Sequence, residues 1–289
     1  MPDRAIGIFD SGVGGLTVLQ AAMRRLPGES FVYLGDTARV PYGTKSPATV
    51  LRYAEQAAGF LVQQQVKLLV VACNTASAVA LPHLEACFQL PVVGVIEPGA
   101  RQAAAVSRTG AIGVIGTEGT VRSRAYELAI GRYAPDARVV AAACPLFVPL
   151  AEEGWARHAV ARICADEYLT PLLQEGIDTL VLGCTHYPLL KPMLRDFLPP
   201  EITLIDSAEA TAREIDAVLQ AKALSAGGGA PASVNFFVTD VPERFCRVGQ
   251  AFLGDRIGAV EQVDFGMCAD ASRSVPASVS PASVRSLLP

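Results

Sequence analysis

Two cysteines stand in matching settings, Cys73 in "VVACNTASA" and Cys184 in "VLGCTHYPL". Each closes an apolar run and is followed by an amide or hydroxyl side chain. A thiol becomes a useful base where its neighbours favour the thiolate, as backbone N–H groups at a helix start do. Asn74, Thr75 and Ser77 fall where a strand turns into a helix beginning near Ala76, so amides and hydroxyls gather there to hold a carboxylate. Beside Cys184 stand Thr185 and His186, one of three histidines in the chain. That histidine can exchange a proton with the thiol or pair with a substrate carboxylate. Two thiols on opposite faces of a small molecule can remove a proton from one side of a carbon and return one on the other. The carbon is then inverted, whereas one base alone returns the proton to the face it left.

Other readings of these residues stay open at this level. A small cysteine at a strand end is often only packing. Zinc is poorly served, because Cys-x-His is too tight for the usual structural spacing and no second cluster completes four ligands. A cysteine hydrolase with His186 as base would leave the second cysteine without a role. The opening loop "FDSGVGG" adds Asp10 and Ser11 at a strand end, with glycines that let the backbone turn tightly. It does not have the Gly-x-Gly-x-x-Gly spacing of a dinucleotide fingerprint.

The elements that must position these groups are strands alternating with helices. Strands are predicted at 6–9, 31–34, 68–72, 92–95, 112–115, 139–142, 179–182 and 202–205, with helices at 16–25, 48–64, 76–86 and 121–133. Apolar, β-branched strands without alternation, separated by helical stretches, indicate parallel sheets covered on both faces. "AIGIFDSGVGG" at 5 resembles "AIGVIGTEGTV" at 111, an offset of 106, and the cysteine segments are offset by 111. The expected architecture is therefore α/β: two similar parallel-sheet α/β domains facing each other across an active-site cleft. The first would occupy 1–98 and resume at 208–268, and the second 99–207. Ligands in open α/β sheets sit beyond the carboxyl ends of the strands, where Asp10, Ser11, Cys73, Asn74, Thr117, Cys184 and Thr185 all fall. Gly116 stands where the second half would repeat Asp10, so the carboxylate is not duplicated. "SAGGGAPAS" at 225–233 reads as a loop, and the Ser/Pro-rich stretch 269–289 as a disordered tail.

Composition narrows the class. The chain has 289 residues, 51% of them apolar and 18% charged, and a net charge of −4. No apolar run approaches a bilayer span and no secretory pattern opens the chain, so a cytoplasmic protein without a membrane partner is expected. Scattered basic residues give no nucleic-acid footprint. Seven cysteines without a Cys-x-x-Cys pair suit a reducing compartment.

Together the motifs resemble those of the bacterial glutamate racemase family. They are "GIFDSGVGGLTVL" (7–19), "YLGDTARVPYGTKS" (33–46), "ACNTASA" (72–78), "GVIEPG" (94–99), "IGTEGT" (115–120), "CPLFVPLAEEG" (144–154) and "LGCTHYPLL" (182–190). The resemblance implies cofactor-independent interconversion of L- and D-glutamate, the D-isomer feeding peptidoglycan precursors, with no metal and a homodimeric assembly. It implies that Cys73 works on the proton of D-glutamate and Cys184 on that of L-glutamate. Asp10 would assist Cys73, His186 would assist Cys184, and Glu152 would be a further supporting carboxylate. Substrate binding would map onto Asp10, Ser11, Tyr42, Gly43, Asn74, Thr75, Thr117, Thr120, Thr185 and His186. The chain begins almost at its first strand, without the extension of members activated by a cell-wall precursor, so such activation is not expected.

Overall fold

The computed structural model describes residues 2–227 and 232–264. The stretch 269–289, and 228–231 within the Gly-rich loop, lie outside the described residues.

Two parallel sheets carry the chain. The first has the order β10-β9-β2-β1-β3-β4, built from β1 (Ile6–Asp10), β2 (Phe31–Gly35), β3 (Leu68–Val71), β4 (Val92–Gly94), β9 (Val234–Val238) and β10 (Val260–Gln262). The second, β6-β5-β7-β8, uses β5 (Ala111–Gly116), β6 (Arg138–Ala143), β7 (Thr179–Gly183) and β8 (Thr203–Asp206). In chain order, β1 to β4 and β5 to β8 follow the same path: the second strand adds on one side of the first, the third on the other. The repeat suggested by the offsets is thus a repeat of topology.

Helices cover the sheets. They are α1 (Leu16–Arg25), α2 (Pro47–Gln63), α3 (Asn74–Cys87), α4 (Ile96–Val106), α5 (Glu118–Arg122) and α6 (Ala125–Tyr133), followed by α7 (Phe147–Glu152), α8 (Ala159–Gln174), α9 (Lys191–Phe197), α10 (Ser207–Ala221) and α11 (Pro242–Leu253). Every residue of β1, β2, β3, β5 and β7 is buried, which is why these strands read as continuous apolar runs. One core continues from Ile6, Ile8 and Leu16 through Ile96 and Ala100 to Ile112, Val181 and Ile215, so the helices between the sheets join them. Among the described residues, no helix is long and apolar enough to cross a membrane.

Two expectations need correction. The helix read over 121–133 is broken: Arg124 has φ of 55° and separates α5 from α6. The helix expected from Ala76 begins at Asn74, directly after Cys73, so Asn74 and Thr75 belong to its first turn.

Candidate active site

The order of each sheet creates a crevice. From β2 the chain crosses to β3 on the far side of β1, and from β6 to β7 on the far side of β5. Loops leaving β1 and β3, or β5 and β7, therefore diverge and leave room between them. The first crevice is lined by Ser11 after β1 and by Cys73, Asn74 and Thr75 after β3. The second is lined by Thr117 after β5 and by Cys184, Thr185 and His186 after β7. All eight face one narrow cavity, together with Tyr42, Gly43 and Val148. Both cysteines are only 6% exposed. Asp10, Thr120 and Glu152 stand behind this lining, not on it.

Burial dominates at Cys73 and pushes its thiol up to about 12; the negative charge of Asp10 acts in the same direction. The Ala76 amide in the first turn of α3 and the Ser11 hydroxyl, 3.7 Å from Sγ, oppose that rise. Asp10 is wholly buried and accepts from the Gly12 amide at 2.9 Å and the Thr185 hydroxyl at 3.3 Å. Burial raises its pKa, while the charge on His186 and the neighbouring donors restrain it. Asp10 thus reaches Cys73 through charge and ties the end of β1 to the residue after Cys184.

His186 is the centre of a second chain of contacts. Its Nδ1 lies 3.9 Å from Cys184 Sγ and its Nε2 lies 3.1 Å from Glu152 Oε1. The other oxygen of Glu152 accepts from the Arg244 guanidinium at 3.0 Å. Burial works against a charged imidazole, yet the contacts to Cys184 and Glu152 outweigh it and raise His186 to about 10. For Glu152, burial is likewise outweighed, and His186 and Arg244 hold it below its ordinary value. His186 can approach because position 14 is glycine: a Cβ there would lie 2.3 Å from Thr185 Oγ1 and 2.4 Å from His186 Nδ1.

The remaining lining is rich in donors. Thr117 caps α5, its hydroxyl accepting from the Thr120 amide. The hydroxyls of Thr75, Thr117 and Thr120 lie within 2.9–3.2 Å of one another, joining α3 to the second sheet. Asn74 Oδ1 accepts from Tyr126 Oη at 2.8 Å, while its buried Nδ2 has no partner among the described residues. Gly43 fits against Thr117, where a Cβ would come within 2.5 Å of the Thr117 Cβ. Tyr42 lines the cavity, but its hydroxyl donates to buried Asp36. Among the described residues, no lysine or arginine lines the cavity, and His186 is the basic side chain on it. Tyr126, Arg244 and Val148 were not singled out from the sequence. Tyr126 and Arg244 meet the site from distant parts of the chain with no local motif, while Val148 lies within "CPLFVPLAEEG" beside Glu152 without a feature of its own.

Residues 15–215 match the family model described as Asp/Glu/Hydantoin racemase. A glutamate racemase from Geobacter metallireducens is 58% identical over 263 residues, covering 91% of this chain and 97% of the relative. The crystal structure of a glutamate racemase isoform from Bacillus anthracis aligns with a TM-score of 0.87 at 42% identity, covering 91% of this chain and 98% of that one. The crystal structure of glutamate racemase from Francisella tularensis in complex with D-glutamate aligns with a TM-score of 0.87 at 37% identity, covering 92% and 100%. The fold and these matches define an isomerase, a racemase. The chain belongs to the Asp/Glu/Hydantoin racemase family, on its glutamate racemase branch.

Proposed function

We propose that this protein interconverts L- and D-glutamate without a cofactor, using Cys73 and Cys184 as the two acid/base groups. The observation that carries this reading is that both cysteines open onto one narrow cavity from equivalent loops of two like sheets. In the L-to-D direction, Cys184 takes the α-proton of L-glutamate. Cys73, kept a thiol by burial, gives its proton to the opposite face. The products are D-glutamate, a Cys184 thiol and a Cys73 thiolate; the reverse direction exchanges the roles. His186 pairs with the Cys184 sulfur through Nδ1, 3.9 Å away. Asp10 keeps Cys73 protonated until it donates.

No cofactor ring spreads the carbanion's charge, so positioned donors must lower the barrier. The unpartnered Asn74 Nδ2, the Ser11 hydroxyl and the hydroxyls of Thr75, Thr117 and Thr185 supply them around the substrate carboxylates. Asp10, Thr120 and Glu152 act from behind the lining by holding these groups. The same reading divides the chain into one unit of 1–98 with 208–268 and another of 99–207, which part to admit substrate. D-glutamate so formed would serve peptidoglycan synthesis. A homodimer is the assembly proposed, and sedimentation of the purified protein would test it.

The test is incubation of reduced protein with L-glutamate in deuterated water. D-glutamate carrying α-deuterium is expected without any addition. Racemisation of aspartate in place of glutamate would reassign the substrate, and folded protein inert toward both would overturn the proposal.

A further inference from the structure

We infer that Glu55, His83 and Cys87 form a surface binding site for a divalent cation of the zinc type, separate from the racemase cleft. His83 and Cys87 are four residues apart on α3, so their side chains share one face. Glu55 comes from α2, which packs against α3 through small residues: Ala54, Ala57 and Ala58 share a core with Ala76 and Ala80. These alanines bring the two helices close enough for Glu55 to reach His83.

The spacing can take an ion in place of the direct Cys87–His83 hydrogen bond. His83 Nε2 lies 3.4 Å from Cys87 Sγ and 3.7 Å from Glu55 Oε2, and all three ligand atoms lie within 4.8 Å of one another. A nitrogen–oxygen distance of 3.7 Å is too long for a good hydrogen bond. Tetrahedral zinc, with ligands about 2.0–2.3 Å away, sets its ligand atoms about 3.3–3.6 Å apart. Side-chain rotation at groups that are 40% exposed for His83 and 53% for Glu55 would close the site. A thiolate with an imidazole and one carboxylate selects Zn2+ or Co2+ over Mg2+ or Ca2+. Three protein ligands leave the fourth position to water. On ligation, the Cys87 thiol releases its proton to solvent as the metal–sulfur bond forms.

The sequence offered no four-ligand cluster around Cys184, and this site is elsewhere. Its histidine and cysteine are on one helix and its carboxylate comes from another, a combination set by packing. No ligand reaches the cleft. The ion would join the last turns of α3 to α2, with racemisation independent of it.

Cobalt titration of full-length, reduced, metal-free protein tests this, with C73S/C184S as the background so that the cleft thiols do not contribute. One equivalent of Co2+ should bind with a thiolate-to-cobalt charge-transfer band. H83A and C87S, each added to that background, should lose the band, and E55A should weaken binding at least tenfold. Circular dichroism confirms that each variant is folded. Absence of the band in the background protein, its survival in C87S or H83A, or unchanged affinity in E55A overturns the site.

Discussion

His186 is held from both sides of its ring, by Cys184 at Nδ1 and by Glu152 at Nε2. Positioned proton-transfer groups contribute about 10²–10⁴-fold, so H186N should lower kcat/KM by at least about 10²-fold. The loss must be equal for L- and D-glutamate, because the equilibrium constant between mirror images is one and ties the two values together. A kcat/KM left unchanged in H186N would contradict the assignment. The proton on His186 also has a stability signature. Its pKa is raised from 6.5 to about 10 in the fold, so this contribution is complete below pH 6.5 and is lost as pH rises through about 10. The melting temperature of the wild type should therefore fall relative to that of H186N across this window; parallel curves would show that the histidine is not held charged. The cysteines, Asp10 and His186 were legible because each follows an apolar strand in a distinctive local motif. Arg244 was not, since its contact is with Glu152, 92 residues away, and "PERFCR" has no feature that announces it.

The loops act as elements because glycine lets them touch. The loop after β1 passes against Thr185 and His186 at Gly14, where a methyl group has no room. G14A should displace His186 and lower kcat/KM by about 10²-fold, the scale of a small misplacement in a reacting site. G28A is the control, since nothing lies within 4 Å of the Cβ it would add. Equal activity in the two variants would mean that the loop does not set the histidine. β1, β2, β3, β5 and β7 were legible from sequence because they are buried throughout and lack alternation. The break at Arg124 was not, because "RSRA" contains neither glycine nor proline. β9 and β10 were also missed: β9 is interrupted by exposed Asn235, and β10 is only three residues long, with Glu261 and Gln262 exposed.

At the scale of the whole molecule, the two sheets share one reaction space. Asp10 with Thr185, Thr75 with Thr117, Asn74 with Tyr126 and Arg244 with Glu152 all bridge from one sheet's layer to the other's. The cavity between them is narrow, and on the proposed reading the sheets part to admit substrate. Glutamate should then protect Cys73 and Cys184 from alkylation with one common midpoint, leaving exposed Cys87 unaffected. Peptide mass mapping reads this, and protection of one cleft cysteine alone would contradict a shared site. The similar offsets in the sequence made the paired sheets legible, but the convergence of their loops depends on helices packed between them. The most direct test of the two-thiol account follows proton exchange in deuterated water with C73S and C184S. C73S should exchange the α-proton of L-glutamate without inversion, and C184S that of D-glutamate, with racemisation lost in both. Racemisation retained by either variant, or exchange on the same enantiomer in both, would contradict it.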